Sequence, residues 1–248
     1  MQNIGQIEGA MVKSAIARLR RHARIELLGN LDAPRLAILS FLVRASDGRY
    51  LHPRLVVRLL NDLFGIQSRG GCACAGPYAH RLLGIGNTRA IAFRDAVLGG
   101  FEAVKPGWTR LNFSYFIEPA EFEFLQGAIE FIADHGERFI DHYRCDWHSG
   151  AWQHPLDEVQ PALLALATQP APWRKAQALA PPKTLSDCLA HAHALLAALP
   201  ATVSAVVPGG APATEKLPQS LPAALVSFAY SWDAVEPAGH ERLFHEHL

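Results

Sequence analysis

The sequence predicts an α/β protein in the two-layer sense, with helices on one face of a small, mainly antiparallel sheet and an extended Ala/Pro-rich helical tail behind it. Three observations carry this expectation. Stretches of helical periodicity alternate with short β-rich runs through the first 150 residues. Residues 108–116, WTRLNFSYF, show the period of two that belongs to a strand with two unlike faces. After about residue 150 the composition changes, and most of the 17 prolines fall among long Ala and Leu runs. A chain of 248 residues, half of them apolar, is long enough for one domain with an appendage. The expected division is therefore a domain at 1–150 and a tail at 151–248.

Taken in order, Ile4, Ile7, Met11, Ile16 and Leu19 recur at helical spacing among Lys13, Arg18, Arg20 and Arg21, and predict an amphipathic helix over 4–24. Ile25 to Leu28 reads as a short strand before the Gly29-Asn30 turn, and RLAILSFLV, 35–43, as a strand suited to a sheet interior. Asp47-Gly48 closes it with a turn. His52-Pro53 begins a helix carrying Leu55, Val56, Leu59, Leu60 and Leu63, with proline in the first turn where its missing N–H does no harm, and Gly65 stops it. Ile66 to Ser68 fits one more strand, and RGGCACAGP, 69–77, reads as a loop. A short helix follows at 78–84, then a helix at 89–98 capped by Asn87-Thr88 and ended by Gly99-Gly100. Lys105-Pro106-Gly107 turns into the strand at 108–116. Glu118-Pro119 starts a strong helix burying Phe122, Leu125, Ile129 and Ile132, and a short helix carries Phe139, Ile140 and Tyr143. In the tail, VVPGGAPATEKLPQS reads as a flexible linker and LVSFAYSWD, 225–233, as a terminal strand.

The 23 Lys plus Arg balance the 23 Asp plus Glu, which argues against nucleic acid as a partner, since no summed field would hold a polyanion. No run approaches the ~20 apolar residues of a membrane span, and the first residues lack the apolar core of a signal peptide. The cytoplasm is the expected location, and the four cysteines, Cys72, Cys74, Cys145 and Cys188, are expected there as thiols.

Two places could carry chemistry. Cys72 and Cys74 stand one residue apart on a glycine-rich segment between Arg69 and a helix start, a setting that stabilises a thiolate. Two other readings stand beside a reactive thiol: small buried hydrophobes, or a zinc site completed by His80. Arg110 is the second place. On a strand otherwise aromatic and aliphatic it needs an anion, either an internal carboxylate or a ligand carboxylate held by both oxygens. Glu123, Glu130 and Glu137 fall on what reads as a solvated helical face, and His191, His193, His245 and His247 on the tail, without assigned chemistry. Gly84-Ile-Gly86 lacks the third glycine of a dinucleotide fingerprint.

At Arg69-Gly-Gly-Cys-Ala-Cys-Ala-Gly-Pro77 and Gly107-Trp-Thr-Arg110-Leu-Asn-Phe-Ser-Tyr115 the sequence resembles the C-terminal portion of class V aminotransferase-like enzymes, the cysteine desulfurase and selenocysteine lyase group. The order of elements before these motifs is similar too, and the resemblance covers roughly residues 4–145. It implies the small domain of a pyridoxal-phosphate enzyme of fold type I, a homodimer acting on an amino-acid substrate such as cysteine. The family's sulfur-accepting cysteine falls on Cys74, which would carry a persulfide. The arginine that holds the substrate α-carboxylate falls on Arg110, with Arg69 as a further substrate-binding residue and Cys72 as a possible second thiol. The cofactor-binding domain of the family, marked by a lysine after a histidine, has no counterpart: none of Lys13, Lys105, Lys175, Lys183 and Lys216 follows a histidine. The expectation is therefore a C-terminal portion of a longer enzyme that does not bind pyridoxal phosphate covalently, is inactive alone, and needs a separate cofactor-binding domain or subunit. The Cys74–Arg110 spacing is wider than in typical desulfurases because the helix at 89–98 is inserted. A divergent lyase or transferase subunit, and a non-catalytic interaction module, are the alternatives.

Overall fold

The structure, a computed structural model, describes residues 2–71, 76–154 and 184–199, together with the backbone of 229–230. It is a mixed α/β fold built on a four-stranded antiparallel sheet in the order β1-β2-β5-β4. The strands are β1 (Ile25–Leu27), β2 (Ile38–Val43), β4 (Arg69–Gly71) and β5 (Trp108–Asn112). Between β2 and β4 the chain forms β3 (Tyr50–Leu51) and helix α2 (Pro53–Phe64). Helix α1 (Gln2–Leu19) opens the fold and packs against β1 and β2, while α2 packs against β2, β4 and β5. Helix α5 (Pro119–His135) packs on α1 and α2. Helices α3 (Gly76–Leu82) and α4 (Asn87–Leu98) connect β4 to β5. Among the described residues no helix is long and apolar enough to cross a membrane.

The sheet's helix side is apolar because every second residue of the central strands points into it. Leu39 and Phe41 of β2 pair with Leu111 and Thr109 of β5, and all four are buried. α2 lies on this face through Leu55, Val56, Leu59 and Leu60, its heptad-like spacing matching the expected stripe. Its ends are fixed as the sequence implies. The side chain of His52 accepts from the Arg54 N–H, and Gly65 takes the left-handed conformation at φ 67°.

The same cap moves the next strand. The N–H of Ile66 closes the helix by donating to the carbonyl of Leu60 at 3.0 Å, so the residues expected in a strand at 66–68 serve as exit from α2. The strand is instead Arg69–Gly71, the beginning of the segment expected as a loop. Glycine is required within it. A Cβ on Gly70 would stand 2.6 Å from Val57 Cγ2 and 2.7 Å from the carbonyl oxygen of Pro53, and Gly71 has φ +108°. β5 is shorter than the period-two run: after Asn112 the N–H of Phe113 donates to Ala37, and Ser114 to Ile117 form a turn. Gly86 is the N-cap of α4, one residue before the expected Asn87-Thr88.

Of the glutamates expected on a solvated face, Glu123 is exposed while Glu130 and Glu137 are half-buried, and all three pair with arginines. Glu123 and Glu130 of α5 accept from the guanidinium of Arg18 at 2.6 and 2.7 Å, and Glu137 lies 3.6 Å from Arg24. The chain beyond residue 145 returns to the domain. Strands β6 (Arg144–Cys145) and β7 (Trp152–Gln153) form a hairpin that spans residue 150, and α6 (Leu185–Ala198) packs on α2 and α5. The short strand β8 (Ala229–Tyr230), within the stretch expected as a terminal strand, pairs with β3.

Candidate functional site

Strand β5 sends Thr109 and Leu111 towards the helices and Trp108, Arg110 and Asn112 to the opposite face. Register decides what stands beside Arg110: Ser40 of β2 on one side and Arg69 of β4 on the other. Residues directly opposite in an antiparallel pair have Cβ atoms roughly 5 Å apart. Two arginines thus rise side by side from adjacent strands, both exposed, with a serine completing the row and the exposed Asn112 beside it. The ends of this face are closed, since Leu42 and Trp108 are buried. The middle is open.

Like charges opposite one another cost stability unless something neutralises them. No described carboxylate does. Neither Arg69 nor Arg110 has an ion pair within the described residues, and the acid that shares their sheet face, Glu26 of β1, is already engaged. Its carboxylate accepts from Arg44 and from the Tyr50 hydroxyl, and the Arg44 guanidinium also lies 4.5 Å from the centre of the Tyr50 ring. Burial, then the bond to Glu26, push the Tyr50 phenol well above its usual range, so it stays a neutral donor.

Gly71, the last residue of β4, stands opposite Trp108, and the Arg54 side chain of α2 lies against it, 3.3 Å from where a Cβ would be. Cys72 follows directly in the sequence. Both Cys72 and Cys74 lie outside the described residues. The other two cysteines are structural by position: Cys145 is buried in β6, and Cys188 is half-buried on α6. His80 lies on α3, and no cluster of three metal-binding side chains occurs among the described residues.

Beneath the arginine row the N-terminus of α2 is anchored by a buried group that sequence reasoning read only as a helix start. His52 is 3% exposed. Its Nδ1 accepts from the Arg54 N–H and from the Trp152 indole N–H, both at 3.1 Å, while Nε2 donates to the Ala103 carbonyl at 2.9 Å. Burial drives its pKa down to about 4, with the nearby Arg54 charge acting in the same direction. The imidazole is therefore neutral at pH 7. Through Pro53, whose carbonyl accepts from Thr109 Oγ1 at 3.2 Å, this anchor fixes the underside of β5 where Arg110 emerges.

The sequence identified Arg110 and Arg69 separately, and the structure brings them together. Their pairing depends on register between strands separated by two helices, which one sequence does not display. The available signal was Gly70-Gly71: glycines in a strand mark close backbone approach. A separate open cleft between α2 and the residues leading into β4, lined by Arg54, Arg58, Asn61, Gln67, Ser68 and Trp152, belongs to the helix side.

No protein-family model matches the chain, and no curated protein matches it.

Proposed function

We propose that this chain is the small-domain portion of a pyridoxal-phosphate-dependent enzyme of the class V aminotransferase and cysteine desulfurase group, in which Arg110, with Arg69 beside it, holds the α-carboxylate of an amino-acid substrate. The observation that carries this reading is the exposed Arg69–Arg110 row, which has no described carboxylate to neutralise it. A guanidinium fork matches both oxygens of a carboxylate, and two such bonds fix orientation as well as position. Held in that way, a substrate presents its remaining bonds in one direction, which is worth more to a reaction than the binding itself.

The described residues do not fit pyridoxal phosphate as a covalently held group. Lys13 lies exposed on α1, and Lys105 is engaged with Glu102. In this reading the cofactor, which supplies the electron sink, belongs to a separate domain or subunit, because no lysine of the sequence follows a histidine as the family's does, and the share of this chain is to orient the substrate. Cys74, which follows β4 in the sequence, is the sulfur acceptor that the family resemblance implies.

The test is a titration of the full, isotope-labelled chain with propionate, followed by its amide resonances. Saturable shifts centred on β4 and β5, with a dissociation constant of order millimolar and abolished by Arg110→Gln, are expected. Shifts elsewhere, or none, overturn the reading.

A further inference from the structure

The donor capacity of the arginine row exceeds what one carboxylate uses. Arg69 and Arg110 each present a planar fork of N–H donors, and Ser40 and Asn112 add a hydroxyl and an amide on the same sheet face. Charge gives the same imbalance. The row holds two positive charges, while the α-carboxylate of an amino acid brings one negative charge. A single carboxylate leaves one guanidinium uncompensated beside its like-charged neighbour, and Glu26 is unable to compensate because Arg44 and Tyr50 hold it.

We infer that the substrate of this site is an amino acid with a second acidic group, a side chain ending in a carboxylate, so that one anion meets each arginine. The inference rests on the carboxylate-binding reading above and narrows it to a substrate class. The two forks rise from directly opposed positions of β4 and β5, a separation of roughly 5 Å at their Cβ atoms, which suits two carboxylates joined by a short carbon chain. Specificity follows from the same geometry. A monoanionic substrate would leave one guanidinium to water and to its like-charged neighbour, so on this open face the discrimination comes from charge and weakens as salt is added.

The experiment compares succinate, propionate and inorganic phosphate as probes of the full chain, at constant low ionic strength, by the resonances of β4 and β5. Succinate is expected to bind at least tenfold more tightly than propionate, with a steeper loss of affinity as salt is added. Arg69→Gln is expected to bring that ratio close to one, and Arg69→Lys to restore part of it, because the lysine returns the charge without the fork. Equal binding of succinate and propionate, both dependent on Arg110, overturns the second anion while the carboxylate reading stands. Phosphate binding as tight as succinate also overturns it, since one compact dianion would then suffice. If neither carboxylate binds, both readings fall.

Discussion

The two faces of the sheet are made by the same residues of the same strands, taken alternately, and they obey different rules. On one face Leu39, Phe41, Thr109 and Leu111 are buried beneath α2, and even the single hydroxyl among them is bonded, Thr109 to Pro53. On the other, the positions between them are the half-buried Ser40, Arg110 and, on β4, Arg69, the two arginines exposed and without described ionic partners. The first face accounts for the fold. The second contributes nothing to it that an uncharged residue would not, and its paired like charges oppose it. Side chains that the fold does not need, carried on strands whose backbone it fixes, are what the proposed binding surface consists of.

The largest expected effect tests the buried side through His52. Its pKa falls from 6.5 in the unfolded chain to about 4 in the native one. The unfolded state therefore binds the proton first, and stability present above pH 6.5 is lost as pH falls towards 4. That window corresponds to about 3 kcal/mol. Urea unfolding at pH 7 and pH 4.5 should show most of this loss, and His52→Gln should remove that part of the slope while lowering stability at pH 7. His135, also pulled down by burial, contributes in the same direction and remains in the variant, so the difference between the two proteins isolates His52. The carboxyls of Asp47 and Asp146 lie below their usual range, held by Arg49 and by the Ser149 hydroxyl, and act only at lower pH. An unchanged slope in His52→Gln would show that the anchor beneath β5 is not the buried neutral imidazole described here.

Gly70→Ala is the next test, because it presses on the boundary between the faces. The added methyl meets Val57 Cγ2 and the Pro53 carbonyl at distances that force β4 away from α2. A loss of about 1–3 kcal/mol in unfolding free energy is expected. Arg69 should move with the strand, so anion binding weakens as well. Full stability would mean that β4 does not rest on α2.

Much of the covered face was legible in the sequence, because hydrophobic period, Pro53 and Gly65 all act locally. The helix at 53–64, the strand before it and the turn at Asp47-Gly48 need no distant partner to be recognised. β4 was not legible, since a strand of Arg-Gly-Gly has neither alternation nor β-branched residues, and it becomes a strand only because β5 pairs with it and α2 requires the missing side chains. Glu123 is exposed as the spacing implies, but its pairing with Arg18, and that of the half-buried Glu130, was hidden for the same reason. Their partner Arg18 lies on another helix, and heptad spacing describes a face without saying what covers it. Of the site, the residue types and one face were visible, whereas the Arg69–Arg110 pairing was fixed by register alone.

The smallest expected effect is the most informative about the open face. Arg110→Thr replaces a charge by a residue that suits a strand, at a position where no described group depends on the guanidinium. Surface substitutions of this kind change stability by no more than about 0.5 kcal/mol, and relief of repulsion with Arg69 favours a small gain. Carboxylate binding should nevertheless disappear. Unfolding by urea and the propionate titration, made on the same preparation, measure the two quantities together. A variant that loses more than about 1 kcal/mol would place Arg110 in the architecture, with a partner that holds the sheet, and the division between the two faces would fail at its centre. A variant that keeps its stability and loses its ligand would show that the strand carries the arginine for what it binds.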